Sequence, residues 1–358
     1  MNVLITGGCG FLGSNVASGY LADGGRVTVV DKMLKTGSWE NLRWLQELCQ
    51  NEHDLVFRES DISDYDCLAD VFIKHGPFDY ICHLAGQVAM TTSLADPIGD
   101  FRTNALGTIN LLELARKKSP DAFIAFSSTN KVYGDLSFLE YAETDTRYFL
   151  PRFPDGIDES TPLDFASPYG CSKGAADQYV RDWYRNFGLK TVVFRHSSIY
   201  GGRQYATVDQ GWVGWFTMKA IEQARCLEKH EPIVPFTISG TGKQVRDMLH
   251  SRDLIALYRT AYENRQHCAG EVFNIGGGLV NSMSLLELFD RLSKLLGLSQ
   301  GLVYEKLPRR QSDQDYFVAD ISKAKRMLGW SPQVGTAQGL QQMIEWIKAI
   351  SDASFLRS

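Results

Sequence analysis

The 358 residues suffice to bury one large core, or a large and a smaller one. Charged residues make up 22% and hydrophobic ones 44%, ordinary for a globular enzyme, and a net charge of −5 gives no reason to expect nucleic acid or an anionic membrane as partner. No apolar run approaches the roughly 18 residues that a bilayer span needs.

The chain opens on a short apolar run, Val3-Leu4-Ile5, that reads as a buried strand and breaks at once into glycines. No basic segment or cleavage site precedes it, so no leader is expected. Gly7, Gly10 and Gly13 are spaced G-x-x-G-x-x-G, and an apolar helical run follows over residues 15–21. Strand, glycine turn and helix in that order form the context of a dinucleotide fingerprint. Glycine lets backbone N–H groups approach a pyrophosphate, and the helix N-terminus adds its partial positive charge. The loop Gly7, Gly10, Phe11, Leu12 and Gly13 is therefore the expected cofactor cradle; the plainer reading is a structural turn. A second strand, residues 26–31, ends in Asp31, whose carboxylate suits the adenosine ribose hydroxyls and repels a 2′-phosphate, favouring NAD over NADP. Lys32 and Lys35 weigh the other way, since a nearby cation could receive a phosphate.

Further strands are expected near residues 55–57, 80–86, 122–126 and 191–195, with helices over 104–116 and 167–187. This alternation predicts an α/β fold, a Rossmann-type doubly wound parallel sheet with right-handed crossovers. Beyond about Tyr200 the pattern turns irregular, with candidate strands at 236–238 and 272–275 and helices over 284–296 and 337–350. The expected division is 1–198 for an NAD-binding domain, to which later segments near 244–275 could return. Residues 199–358 would then be mainly a smaller α/β substrate domain. Seven scattered cysteines, never paired as C-x-x-C, suit free thiols in a reducing cytoplasm and offer no zinc site, and the histidines are equally dispersed, so no metal is expected.

Two stretches carry chemistry. Ser167 and Pro168 are a good helix start, with Ser167 as N-cap, and Tyr169 and Lys173 then share one helix face, four residues apart. A free phenol is a poor base at neutral pH, but a neighbouring ammonium and an oxidised nicotinamide both favour the phenolate. Tyr169 then becomes a base for a sugar hydroxyl that loses hydride from the same carbon. Between cradle and helix, the strand 122–126 runs into Ser127, Ser128 and Thr129, where ligands bind in such sheets. Thr129 is placed to hold the reacting oxygen, while Ser127 and Ser128 either cap the strand end or touch the cofactor.

With a G-x-x-G-x-x-G loop, a mid-chain Ser/Thr and Y-x-x-x-K, the chain resembles the extended short-chain dehydrogenase/reductase superfamily, the nucleotide-sugar epimerases and dehydratases. Within it, Gly86-Gln87-Val88-Ala89-Met90-Thr91-Thr92-Ser93 and residues 127–135, 167–179, 194–204, 209–216 and 236–247 look like the CDP-tyvelose (CDP-paratose) 2-epimerases. The likeness continues to Asp320 and so covers nearly the whole chain. It implies tightly held NAD, a CDP-sugar substrate, inversion at C2 and a homo-oligomer, dimer or tetramer. It further implies that Asp61 and Ile62 flank the adenine and that Leu84, Ala85, Gly86, Asn104 and His196 line the cofactor. Arg203, Arg246 and Arg310 would face the substrate diphosphate, as guanidinium forks do. Gln87, Ser198 and Gln210 would lie near the sugar nucleotide.

A 4,6-dehydratase of this superfamily carries Asp-Glu after the Ser/Thr; Asn130 and Lys131 stand there instead, so elimination lacks its proton shuttles. A 4-epimerase and a CDP-glucose 2-epimerase use the same residues and stay open, as do a dehydrogenase that releases NADH and a non-catalytic NAD-binding scaffold.

Overall fold

The computed structural model describes residues 1–309 and 313–355. Five strands of its main sheet come from the first third of the chain: β1 (Asn2–Thr6), β2 (Arg26–Asp31), β3 (Leu55–Glu59), β4 (Tyr80–His83) and β5 (Phe123–Thr129). Strands Thr191–His196 and Val272–Ile275 complete it, in the order Val272–Ile275, Thr191–His196, β5, β4, β1, β2, β3. Every neighbouring pair is parallel. Both faces of such a sheet are covered, which is why its strands read as continuous apolar runs. Side chains alternate between the two covers: Val3 and Ile5 enter one core, Leu4 the other.

Strand order reverses at β1, so the crevice lies beyond the carboxyl ends of β1 and β4, the place where doubly wound sheets bind ligands. Register brings particular residues to that edge: Thr6 lies opposite His83, and Thr129 opposite His196. Helices α1 (Phe11–Ala22), α2 (Ser38–Leu48) and α3 (Tyr65–His75) make the first crossovers.

A separate core gathers helices Trp212–Glu228, Leu285–Leu296 and Thr336–Phe355. Beside it, strand Val245–His250 pairs with Ser282–Ser284, Tyr316–Phe317 and Ser198–Tyr200, while Phe236–Ser239 pairs with Tyr304–Leu307. Strand Val272–Ile275 sits at the edge of the large sheet, against Thr191–His196.

Several elements differ from the sequence reading. Helices Trp212–Glu228 and Ser251–Glu263 fall in the stretch read as irregular. In the first, apolar residues point all round the axis, Val213, Met218 and Ile221 as well as Trp212, Trp215 and Phe216, which blurs the 3.6-residue period. The helix expected over 104–116 divides into a π-turn, Arg102–Leu106, and a regular helix, Gly107–Lys118. Helix Ser167–Phe187 has the expected span, but Ala166 holds the N-cap position. Ser167 takes a left-handed φ of 77°, and its hydroxyl accepts from Gly170 N–H at 3.2 Å, so it still serves as a capping side chain. Among the described residues, no helix is long and apolar enough to cross a membrane.

Candidate active site

The glycine loop is built by close approach. Gly7 has φ +69°, and a Cβ there would lie 2.7 Å from Ala85 N; a Cβ on Gly13 would lie 2.1 Å from Gly7 O. Side chains are thus excluded where the loop meets α1 and the end of β4. Gly10 caps α1 without any side-chain hydrogen bond, and no acid occupies the first turn. The first N–H groups of α1, including those of Phe11, Leu12 and Gly13, therefore present an uncapped anion site. Leu84 and Ala85 close its floor by donating to Thr6, at 3.1 Å to O and 3.3 Å to Oγ1. Asp31 ends β2 and accepts from Cys9 N–H and Met33 N–H, both at 2.9 Å, which fixes its carboxylate beside the loop. Lys32, the cation that could have drawn a 2′-phosphate, is 2.6 Å from Asp61. Ile62 is buried, and its carbonyl accepts from Asn110 at 3.2 Å. An uncapped helix start, a glycine cradle and a strand-end carboxylate match the pyrophosphate and ribose of a dinucleotide.

Tyr169 and Lys173 are both buried on helix Ser167–Phe187, facing the end of β5. The Lys173 ammonium donates to Ser127 O at 2.5 Å and sits 4.2 Å over the Phe126 ring. Thr129 Oγ1 accepts from Lys131 N–H at 3.2 Å, and it lies near enough to the Tyr169 phenol to lower its proton affinity. The structure thus brings the three expected catalytic side chains together. Their electrostatics differ from expectation. Burial pushes the Tyr169 phenol up to about 12, against the pull of Thr129, and Asp100 adds to the rise. Burial also brings Lys173 down to about 7, while Asp177 and Asp100 hold it up. The ammonium is spent on Ser127 O and the Phe126 ring, so the phenol keeps its proton at neutral pH in the protein alone. His196, at the end of its strand, is brought to about 3 by burial and by Lys173, and its buried Nδ1 has no hydrogen-bond partner among the described residues.

Behind these, Asn104 and Gln87 join a polar network with Asp100 and Ser172, two residues to which the sequence assigned no role. The π-turn aims Asn104 inward: its Nδ2 donates to Gln87 O and Ser172 Oγ, both at 3.0 Å, and its Oδ1 accepts from Gln87 N–H at 2.9 Å. Such bulges often mark functional sites, because the register break re-aims one side chain. Ser172 Oγ donates to Asp100, and the Gln87 amide donates to Asp100 at 2.9 Å, so Gln87 is turned into this network. A Cβ on Gly86 would lie 3.0 Å from Asn104 Oδ1 and 3.7 Å from Lys173 Nζ, so Gly86, Asn104 and Lys173 do converge. One turn beyond Lys173, Asp177 forms a two-point ion pair with Arg195, 2.9 Å at each contact, and accepts from Ser128 at 2.7 Å. Both partners are fully enclosed, at 0% and 3% side-chain exposure. Tyr169, Lys173 and Asp177 are spaced i, i+4, i+8, which was the available signal.

On the far side, Arg246 bonds Asp313 at 2.9 Å and Gln314 O at 2.8 Å, and Lys131 lies 3.5 Å from the same carboxylate. Asn130 donates to Gln314 Oε1 at 2.7 Å. Ser198 Oγ accepts from Trp212 Nε1 at 2.9 Å, and Gln210 pairs its backbone with Thr207. The Arg203 guanidinium lies 4.2 Å over the Trp44 ring of α2, and no described contact joins it to Arg246. Arg310 lies outside the described residues.

A family model described as GDP-mannose 4,6 dehydratase matches residues 4–343. The chain belongs to this family, the extended short-chain dehydrogenase/reductases. Among relatives of this family, it is 52% identical over 350 residues to the CDP-paratose 2-epimerase of Salmonella typhi, covering 98% of this chain and 100% of that protein. The crystal structure of the UDP-glucose 4-epimerase of Thermotoga maritima with UDP-glucose superimposes with a TM-score of 0.79 at 30% identity, over 98% and 100% of the two chains. The UDP-glucose 4-epimerase of Thermus thermophilus complexed with NAD gives 0.77 at 26%, over 97% and 99%. The family model's name does not carry a reaction to this chain: where an extended short-chain dehydratase needs two carboxylates, an amide bound to Gln314 and an ammonium beside Asp313 stand instead.

Proposed function

We propose that this protein is an NAD-dependent epimerase that inverts C2 of a CDP-hexose, interconverting CDP-paratose and CDP-tyvelose. The observation that carries this reading is the 52% identity to a CDP-paratose 2-epimerase, sustained along both chains end to end. Gly7, Gly10, Phe11, Leu12 and Gly13 would hold the NAD pyrophosphate, Asp31 the adenosine ribose, and Asp61 and Ile62 the adenine surroundings. Leu84, Ala85, Gly86, Asn104, Ser127 and His196 would line the rest, and Arg246 would face the sugar-nucleotide diphosphate. Residues 1–198, with the return near 244–275, would carry the cofactor, and residues 199–358 mainly the substrate.

NAD, when bound, supplies the hydride acceptor and donor and, oxidised, a positive charge. Tyr169 must shed its proton to act, and a cation beside a phenol lowers its proton affinity. As phenolate it would take the proton of the C2 hydroxyl as hydride leaves the same carbon, giving a 2-keto sugar, while Thr129 steadies the oxygen and Lys173 holds the neighbouring ribose. After the sugar turns its other face, Tyr169 returns the proton to the C2 oxygen and C2 regains its hydrogen with opposite configuration. No net oxidation results, so the cofactor need never leave.

Leu94, Ile98, Phe101, Tyr179, Tyr184 and Phe187 are all exposed on neighbouring helices, Met90–Ala95, Pro97–Phe101 and Ser167–Phe187. An apolar face of that kind suits a second copy of the chain. All seven cysteines are free, which supports a cytoplasmic location. The test is incubation with CDP-paratose, CDP-glucose and UDP-glucose, followed by NMR of the products. CDP-paratose is expected to convert at C2; conversion of UDP-glucose at C4 in its place would make the protein a 4-epimerase.

A further inference from the structure

The segment Gly201–Tyr205 links strand Ser198–Tyr200 to the part of the chain that begins helix Trp212–Glu228. Gly201 packs on Ser251 and Gln204 Nε2 donates to Ile199 O at 3.1 Å, while the rest of the segment reaches the cofactor cradle. Asn15, on α1, donates through one amide to Phe11 O at 2.9 Å and to Gly202 O at 3.1 Å. Asn41, on α2, donates to Cys9 O of the glycine loop at 3.1 Å and to Arg203 O at 3.4 Å. The Arg203 guanidinium lies over Trp44 of α2. The Tyr205 ring presses on Gly37, just before α2, so closely that a Cβ there would lie 1.9 Å from Cδ2. From behind, Trp346 of the last helix meets Tyr205 edge-on at a centroid distance of 5.3 Å. The segment therefore touches α1, α2 and the turn before α2, and shares Asn41 with the loop itself.

Its backbone is also constrained. Arg203 has φ +71° and Gly201 φ +143°. A left-handed residue with a Cβ persists only where its surroundings over-determine it, and such sites concentrate at ligand clamps. Asn15, Asn41, Trp44 and Tyr205 supply that determination here, and none of them belongs to the catalytic trio.

We propose that Gly201–Tyr205 is a strap that retains the dinucleotide. It bridges α1 and α2 across the mouth of the glycine loop, and the cofactor leaves only when the strap lifts. Arg203 then serves cofactor retention through its stack on Trp44, and Arg246 is left as the described arginine for the substrate diphosphate. This rests on the NAD reading above and adds where retention is built: in a segment that follows the main sheet's sixth strand, braced by the C-terminal helix. An enzyme that returns its hydride to the same substrate gains from such a strap, because an exchanging cofactor would abort the second half of the reaction.

The test uses the protein as purified. Bound NAD per chain is measured after extraction, and its release half-life after dilution, for wild type, Arg203→Gly, Tyr205→Ala and Arg246→Ala. CDP affinity is measured on the same samples by calorimetry. Arg203→Gly removes the guanidinium while favouring the left-handed backbone, so it keeps the test valid where Tyr205→Ala disturbs folding. The strap predicts release about tenfold faster or more in both strap variants, the off-rate being where such perturbations show. CDP affinity in those variants stays within about twofold, and Arg246→Ala shows the reverse pattern. Wild-type release rates in folded Arg203→Gly, or a loss confined to CDP binding, would overturn the strap. Wild-type protein that neither carries nor takes up NAD would overturn the NAD reading itself, a different result from unchanged release.

Discussion

Tyr169 holds its proton in the protein alone because burial outweighs the help it receives from Thr129. Its basicity is therefore conditional on a cation arriving beside it, which ties proton abstraction to an occupied cofactor site. Tyr169→Phe removes the phenolic hydroxyl; epimerisation should fall about 10²–10⁴-fold, the usual worth of a positioned acid–base group. NAD content and CDP affinity should stay near wild type, as checked by extraction and calorimetry. A scaffold that merely binds NAD would lose nothing. The residues of this trio were legible because spacing alone puts Tyr169 and Lys173 on one face and Thr129 at a strand end. Their proton affinities were not, since burial is a property of the packed site and sequence shows only the neighbours along the chain.

Helix Ser167–Phe187 carries two further loads. Asp177 and Arg195 form an ion pair with almost no solvent exposure, and Ser128 completes the carboxylate's bonds. Breaking such a pair from one side leaves a buried charge unmatched, so Asp177→Asn should cost about 3–5 kcal/mol in urea unfolding. A cost below about 1 kcal/mol would mean that water reaches the pair. An Arg inside the run Thr-Val-Val-Phe-Arg-His was a visible anomaly, but its partner lies on another element and the spacing within one element could not name it. Tyr179 and Phe187 of the same helix, and Ile98 and Phe101 of a helix packed against it, are exposed apolar side chains. On the proposed dimer or tetramer, Phe101→Glu should shift the sedimentation coefficient toward monomer; a coefficient unchanged by the substitution would count against an interface on these helices. The parallel sheet itself was readable from alternating strand and helix. Helix Trp212–Glu228 was not, because its apolar residues, Val213, Met218 and Ile221 beside the aromatics, point all round its axis and the polar–apolar period is lost.

Across the whole molecule, buried titratable groups set the pH range of stability. His83, held between Thr6 at 2.7 Å and Thr108 at 2.9 Å, and His196 are both brought down to about 3 by burial and by Lys173. A depressed pKa gives stability that is complete above the unfolded value, near 6.5, and lost as pH falls toward 3, because the unfolded chain binds the protons first. Asp247 works the opposite way: burial pushes it up to about 6, so it favours the fold as pH falls through that value toward the unfolded carboxylate range. Two histidines outweigh one carboxylate, and melting temperature should drop steadily from pH 7 to pH 4. His83→Asn should flatten that slope even if its melting temperature at pH 7 is lower; an unchanged slope would mean that His83 already takes up a proton in the fold.

The proposed epimerisation stands on hydride leaving C2 and coming back to it within one site. The direct measurement is NMR of CDP-paratose deuterated at C2, incubated with purified protein and no added NAD. Returned hydride gives CDP-tyvelose with deuterium retained at C2. Deuterium lost to solvent, or turnover only when NAD is supplied and consumed, would contradict it.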